Sequence, residues 1–228
     1  MGTNQTSTLG DEQRHYAVAV KTVSNEKRIA EMKNVRTIIL IASLFILISG
    51  CGSALKEINA KSQSTRSDVY VEIKNGGAIP GGYANVIIKV AIKTPPAGYY
   101  LWKSNHSFSG KPGFPFVFNI DGQAAVWKID GQEEVTSPYD EKGERIPDGG
   151  RGIRYILNKK IRLATGSHKL FLGVPEDEYA GEFVIFVKDG VSTLEFKPVY
   201  RGDHQRTAPS FLNGIQTFEL FYDGSSIK

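Results

Sequence analysis

Cysteine is nearly absent: one residue, Cys51, in a chain of 228. No disulfide can form within the chain, so an apolar core must hold any folded part together. A surplus of either charge is also lacking. The formal net charge is only +4, and residues 1–50 hold six of the 28 basic and four of the 24 acidic residues, which leaves the rest almost balanced. Basic and acidic residues alternate along the chain instead of gathering in a patch, which argues against a nucleic-acid partner. Histidine is scarce as well, with four residues (His15, His106, His168 and His204) in no metal-ligand spacing and with no cysteine beside them, so no metal site is expected. No internal repeat, nucleophile elbow or cofactor-binding signature is present, and no catalytic residues or cofactor are assigned. Long apolar runs are missing with one exception.

That exception is Thr37 to Ser49, an uncharged run of 13 residues preceded by Lys33 and Arg36. As a helix it would span about 20 Å, short of the roughly 30 Å hydrocarbon core. This length suits the apolar stretch of an export signal better than a membrane span. It ends in Ile48-Ser49-Gly50-Cys51: aliphatic, small, small, cysteine. Small residues leave room for a protease, and the thiol is a nucleophile for thioether formation.

These four residues resemble the lipobox of bacterial lipoproteins. The resemblance implies a signal peptide over 32–50, cleavage before Cys51, and diacylglycerol on the Cys51 thiol with acylation (palmitate) of the new amino group. Two or three acyl chains, at about 0.8 kcal/mol per buried CH₂, make such an anchor effectively permanent. The alternative is an uncleaved signal-anchor helix running on to Leu55, with Cys51 a bystander. Residues 1–31 add nothing that export needs and read as an upstream stretch from a start codon assigned too early, or as a long basic leader. In such lipoproteins the residue after the cysteine guides sorting. Here it is Gly52, not the aspartate associated with inner-membrane retention. The expected location is therefore the cell envelope, on the outer membrane where the host has two membranes.

Residues 51–67, from Cys51 through GSALKEINAKSQSTRS, are small and polar and read as the lipidated cysteine with a flexible tether, apart from a short amphipathic helix that Leu55–Ala60 could form. From Asp68 to the C-terminus the pattern has a period near two. Val69, Val71 and Ile73 alternate with polar neighbours, as do Phe114, Phe116, Phe118 and Ile120 before the turn Asp121-Gly122. Further strand segments are expected at 84–92, 124–129, 153–163, 168–174, 182–187, 193–198 and 216–222. Turn pairs such as Asp130-Gly131, Asp189-Gly190 and Asp223-Gly224 punctuate them. The expectation is an all-β domain over 68–228: an immunoglobulin-like β-sandwich with a long hairpin or loop insertion, preceded by an N-terminal signal helix. Phe114, Phe116, Phe118 and Ile120 should face the core together, and truncating Phe116 and Val117 should then differ markedly in cost.

Two stretches carry a second, looser resemblance. Phe116 to Gly122 is a strand entering an Asp-Gly tip. Leu163-Ala164-Thr165-Gly166-Ser167-His168 and the strand that follows are similar to the glycine–x–histidine segment of PEGA-type immunoglobulin-like envelope modules. The likeness covers roughly 114–200, lacks the PEGA tetrapeptide, and makes 123–160 a long insertion. It implies a binding or spacer module.

Three further features bear on chemistry. The acidic stretch Glu133-Glu134 to Asp148 holds irregularly spaced carboxylates with Lys142 and Arg145 among them, which fits a solvated hairpin better than a calcium loop. Tyr99, Tyr100, Trp102, Phe108, Phe114, Phe116 and Trp127 crowd one third of the domain, as core or as a stacking surface for sugars or peptides. His168 follows a turn and reads as a structural hydrogen-bonding residue. The functional expectation is a non-catalytic, membrane-anchored binding or accessory module whose partner is a protein or glycan in the envelope. The alternative is an envelope hydrolase with a site assembled from distant residues.

Overall fold

A computed structural model of the chain describes residues 53–74, 77–100, 107–202 and 208–227. Residues 1–52, including the expected signal segment and the expected lipobox Ile48, Ser49, Gly50 and Cys51, lie outside the described residues.

The alternating segments form strands. In chain order they are β1 (Tyr70–Glu72), β2 (Tyr83–Thr94), β3 (Phe114–Ile120), β4 (Gln123–Ile129), β5 (Gln132–Thr136) and β6 (Gly150–Ala164), then β7 (Gly166–Val174), β8 (Tyr179–Val187), β9 (Gly190–Tyr200), β10 (Ile215–Tyr222) and β11 (Ser225–Ile227). They make two sheets. The larger has the order β1-β6-β2-β9-β10-β11, with β5 also on β6, and the smaller the order β4-β3-β7-β8. The domain is an all-β sandwich.

Strands β2 to β8 follow an immunoglobulin-like path. β2 pairs with β6 and β6 with β5, while β4, β3, β7 and β8 line up in the other sheet. This corresponds to the B-E-D and C′-C-F-G orders of that architecture. The place beside the B-like strand is taken from the far end of the chain: β9 returns from the smaller sheet and lies parallel to β2, with Ala84 opposite Gly190 and Val90 opposite Phe196. The 15-residue β6 is long enough to carry two short partners on one edge, β5 against residues 150–154 and β1 against 161–163. Residues 123–160, which the family likeness makes an insertion, are β4, β5 and most of β6. What projects between strands is the loop 137–149, braced by a bridge between Tyr139 and Arg145.

The core lies between the sheets. Val86, Ile88, Val90 and Ile92 face it from β2, Tyr155, Leu157, Ile161 and Leu163 from β6, and Leu170, Leu172 and Val174 from β7. Phe114, Phe116, Phe118 and Ile120 point inward together as the alternation predicts, and rings of Phe118, Trp127, Phe183, Phe196 and Phe218 meet edge-on or tilted within the interior. Short β1 has a polar partner. The Gln123 side-chain amide accepts from Val69 N (2.8 Å) and Tyr70 N (3.1 Å) and donates to Tyr70 O (2.9 Å), standing in for a neighbouring strand.

One element differs from the expected tether. Ser53–Lys61 form a helix, α1, laid on the outer face of the smaller sheet. Ile58 is 2% exposed and packs with Val117 and Phe171, while Asn119 Nδ2 donates to Lys61 O (2.8 Å) and the Lys61 ammonium pairs with Glu182. The outer face of β3 is therefore covered too, and Val117 is as inaccessible as Phe116. The one-sided strand expected from alternation is buried on both faces, because a helix supplies the second apolar layer.

Candidate functional site

The two ends of the sandwich differ in chemistry. At one end the turns are 121–122, 164–166, 188–189 and 223–224, three of them Asp-Gly or next to Asp-Gly. Asp121 and Asp223 take a positive φ there, at 46° and 47°, a conformation that Asp tolerates better than most side chains. This end holds the Asp-Gly tip and the glycine–x–histidine segment, which the structure brings together. His168 Nδ1 lies 2.6 Å from Asp121 Oδ2 and Nε2 lies 2.9 Å from Ala164 O, so both ring nitrogens face acceptors. Asp121 Oδ1 accepts from Lys169 N (2.8 Å). The arrangement locks two turns to each other and uses the histidine as a fastener.

The other end includes the connection from β2 to β3, described at 95–100 and 107–113, the 3-10 turn Pro175–Asp177 between β7 and β8, and the connection from β9 to β10, described at 201–202 and 208–214. Glu176 organises it. Its Oε1 accepts from Ser107 Oγ (2.7 Å) and Ser109 Oγ (2.9 Å), and its Oε2 accepts from Phe108 N (2.7 Å). The two limbs of the 95–113 connection touch at Gly110, where φ is 72° and a Cβ would stand 2.0 Å from Ala97 N, so only glycine fits. Gly110 N donates to Thr94 Oγ1 (3.2 Å). The Tyr100 hydroxyl donates to Leu212 O, and the Tyr155 hydroxyl donates to Lys111 O (2.8 Å). Arg201 Nη2 donates to Asp177 O (3.1 Å), and Gly214, at φ 80°, leaves the room that Asp177 Oδ1 occupies.

A polar cavity of about 320 Å³ opens among these connections. Its wall includes Thr94, Tyr100, Ser109, Asp177, Arg201 and Phe211, and among the described residues no histidine or cysteine lines it. Its volume is at the lower end of the range of small-molecule pockets, and its lining mixes polar side chains with the rings of Tyr100 and Phe211.

Beside the cavity, a charged network fixes the acidic stretch. Lys93 leaves β2 with its ammonium fully buried. It lies 3.1 Å from Glu134 Oε2 and donates to Gly150 O (2.7 Å), Asp148 O (3.0 Å) and Thr136 Oγ1 (3.2 Å). Arg154 donates to Glu134 Oε2 (2.8 Å) and Asp148 Oδ2 (2.6 Å), and Arg151 pairs with Glu133 at 2.5 Å. The hydrogen bond from Arg154, then that from Lys93, holds the Glu134 carboxyl below the usual carboxylate range. Asp140 Oδ1 accepts from Lys142 N (2.9 Å) and Glu144 N (2.7 Å) of its own loop. These carboxylates are occupied by cations and backbone amides. Among the described residues no group of histidine, cysteine, aspartate or glutamate side chains could hold a metal ion.

The aromatic cluster divides. Phe114, Phe116 and Trp127 are core, and Trp127 Nε1 donates to Glu72 Oε1 (2.7 Å). Tyr99 and Phe108 stand exposed on the 95–113 connection. Trp102, His106 and His204 lie outside the described residues. Sequence reasoning missed Glu176 and Gly110, for which no motif exists, and Lys93, whose outward place on an alternating strand reads as a solvated lysine. Among the described residues no helix is long and apolar enough to cross a membrane. No family model matches the chain, and no curated protein or solved structure is significantly similar to it.

Proposed function

We propose that this protein is a lipid-anchored lipoprotein of the bacterial cell envelope, acting without catalysis as a binding or accessory module. The observation that carries the reading is the succession Lys33–Arg36, the apolar run from Thr37, and Ile48-Ser49-Gly50-Cys51. The β-sandwich supports it in a general way, since such domains present loops at their ends for recognition. The cavity beside Arg201 and Asp177 is the recognition site, suited to a polar segment of a protein or glycan. Gly52 after the cysteine favours the outer membrane in a two-membrane host.

The test is metabolic labelling with a clickable fatty acid. The native chain takes up label and runs at the size of a protein cut before Cys51, whereas Cys51→Ala takes up none and stays uncut. Continued labelling of the variant would sink the reading.

A further inference from the structure

We infer that this protein associates with a second copy of itself through the outer face of the smaller sheet, each copy placing its Phe186 ring in a pocket of the other. The surface begins on β8, the last strand of that sheet. Its residues alternate in and out, so Ile185 and Val187 are core while Glu182, Val184 and Phe186 face outward. Val184 and Phe186 are 63% and 64% exposed. They follow one another on one face, whereas exposed Ile156 stands alone between Arg154 and Asn158 on its face of β6, and an isolated apolar side chain needs no partner. α1 covers Val117, Phe171 and Gly173 elsewhere on the sheet but ends at Lys61, and it leaves Val184 and Phe186 bare.

The pocket beside Phe186 defines what covers it. Where α1 ends, Lys61, Asn119, Asp121, Lys169, Phe171 and Glu182 line a space of about 170 Å³. A cavity of about 150 Å³ admits benzene, so one phenyl ring fits. The chemistry suits an aromatic ring as well. Both carboxylates of the pocket are already engaged, Glu182 with the Lys61 ammonium and Asp121 with His168 and Lys169 N. The Lys169 side chain is exposed and forms no ion pair among the described residues. An ammonium without a carboxylate attracts the face of an aromatic ring, as Lys61 does over the Phe171 ring in the same pocket, at 5.7 Å.

The positions make the exchange reciprocal. Across β7 and β8, Phe171 pairs with Glu182, Lys169 with Val184 and Ser167 with Phe186. The pocket and Phe186 therefore lie on opposite sides of the Lys169–Val184 pair, each about 7 Å away along the strands. A two-fold axis lying in the interface and crossing the strands at that pair exchanges the two, as an isologous contact requires. It sets Val184 against its own counterpart and carries each Phe186 ring to the pocket of the other copy. α1 rises above the sheet on the far side of the pocket, so in the pair it passes the other copy beyond the end of β8 at Val187 and does not hold the faces apart. A ring seated in a pocket at the centre of a contact is the kind of anchor that carries most of the energy of an interface. The contact lies toward the turn 188–189 and leaves the cavity beside Arg201, at the opposite end, open.

The experiment uses the full chain in a mild non-ionic detergent extract of the expressing cells, with Val184→Cys as the reporter at the axis. Two cysteines facing each other there meet the short reach of a disulfide. Copper-catalysed oxidation should convert most of the chain to a species of twice its mass, read on an immunoblot without reductant. Val126→Cys, exposed on β4 at the other edge of the same sheet, and the native chain, whose one cysteine is Cys51, should give several-fold less. Adding Phe186→Ala to Val184→Cys should cut the cross-linked fraction several-fold, and Phe186→Tyr should leave it intact because the ring is kept. A yield from Val184→Cys no greater than from Val126→Cys would overturn the proposal. No effect of Phe186→Ala would overturn it too, since association would then not depend on the ring. A cross-linked species of any mass other than twice the chain would assign the face to a different protein and exclude the second copy.

Discussion

Glu134 shows how a surface-sequence residue becomes structural. In the chain it belongs to an acidic stretch with no spacing that names a purpose. In the fold it receives Arg154 and the buried ammonium of Lys93. Because its carboxyl titrates below its ordinary value of 4.5 when folded, its ionised form stabilises the native state above that pH, and this stabilisation is lost as the pH falls through the lower, folded value. Glu134→Gln should remove that acid-limb dependence and flatten urea stability between about pH 5 and 3. The change should be about 1 kcal/mol or less, since the side chain keeps contact with water. An unchanged acid limb in the variant would place the dependence elsewhere. Burial likewise pushes the Tyr70 phenol up to about 12, a consequence of packing that no sequence window displays.

At the scale of elements, strands and turns were legible and the helix contact was not. Alternation located nearly every strand, because the core side of a sandwich strand must be apolar at every second residue. It missed β5 and β11, whose residues are mostly exposed and carry no alternating apolar signal. α1 offers only Ala54, Leu55, Ile58 and Ala60 among polar residues, too little to announce a buried face. Its docking depends on Val117, Phe171 and the bare backbone at Gly173, all far along the chain. Ile58→Ala should therefore free the helix without melting the sandwich. Amides of 53–61 should exchange much faster while β7 stays protected, with a stability loss of about 2 kcal/mol, at the lower end for a buried isoleucine because the cluster is small. Unchanged exchange in 53–61 would show that Ile58 does not hold the helix.

For the whole molecule, the decisive element is β9. It closes the open edge of β2 and seats β10, and its Leu194 and Phe196, with Phe218 and Leu220 beyond, complete the core. A chain ending at residue 189 would lose these side chains and Phe211. At about 1.5–3 kcal/mol for each, the loss is comparable to the 5–15 kcal/mol by which domains are stable. That truncation should give no cooperative thermal transition, and a native-like melt would show that β2 to β8 form a sufficient domain. The sequence by itself determined the all-β class, the inward set on β3 and the positions of most turns. Each of these follows from local periodicity or from backbone geometry that only certain residues tolerate. The tertiary structure decided the parallel return of β9, the meeting of Asp121 with His168, the burial of Lys93 and the docking of α1. These join residues tens of positions or more apart, and the side chains involved gain their roles only from the neighbours that folding supplies.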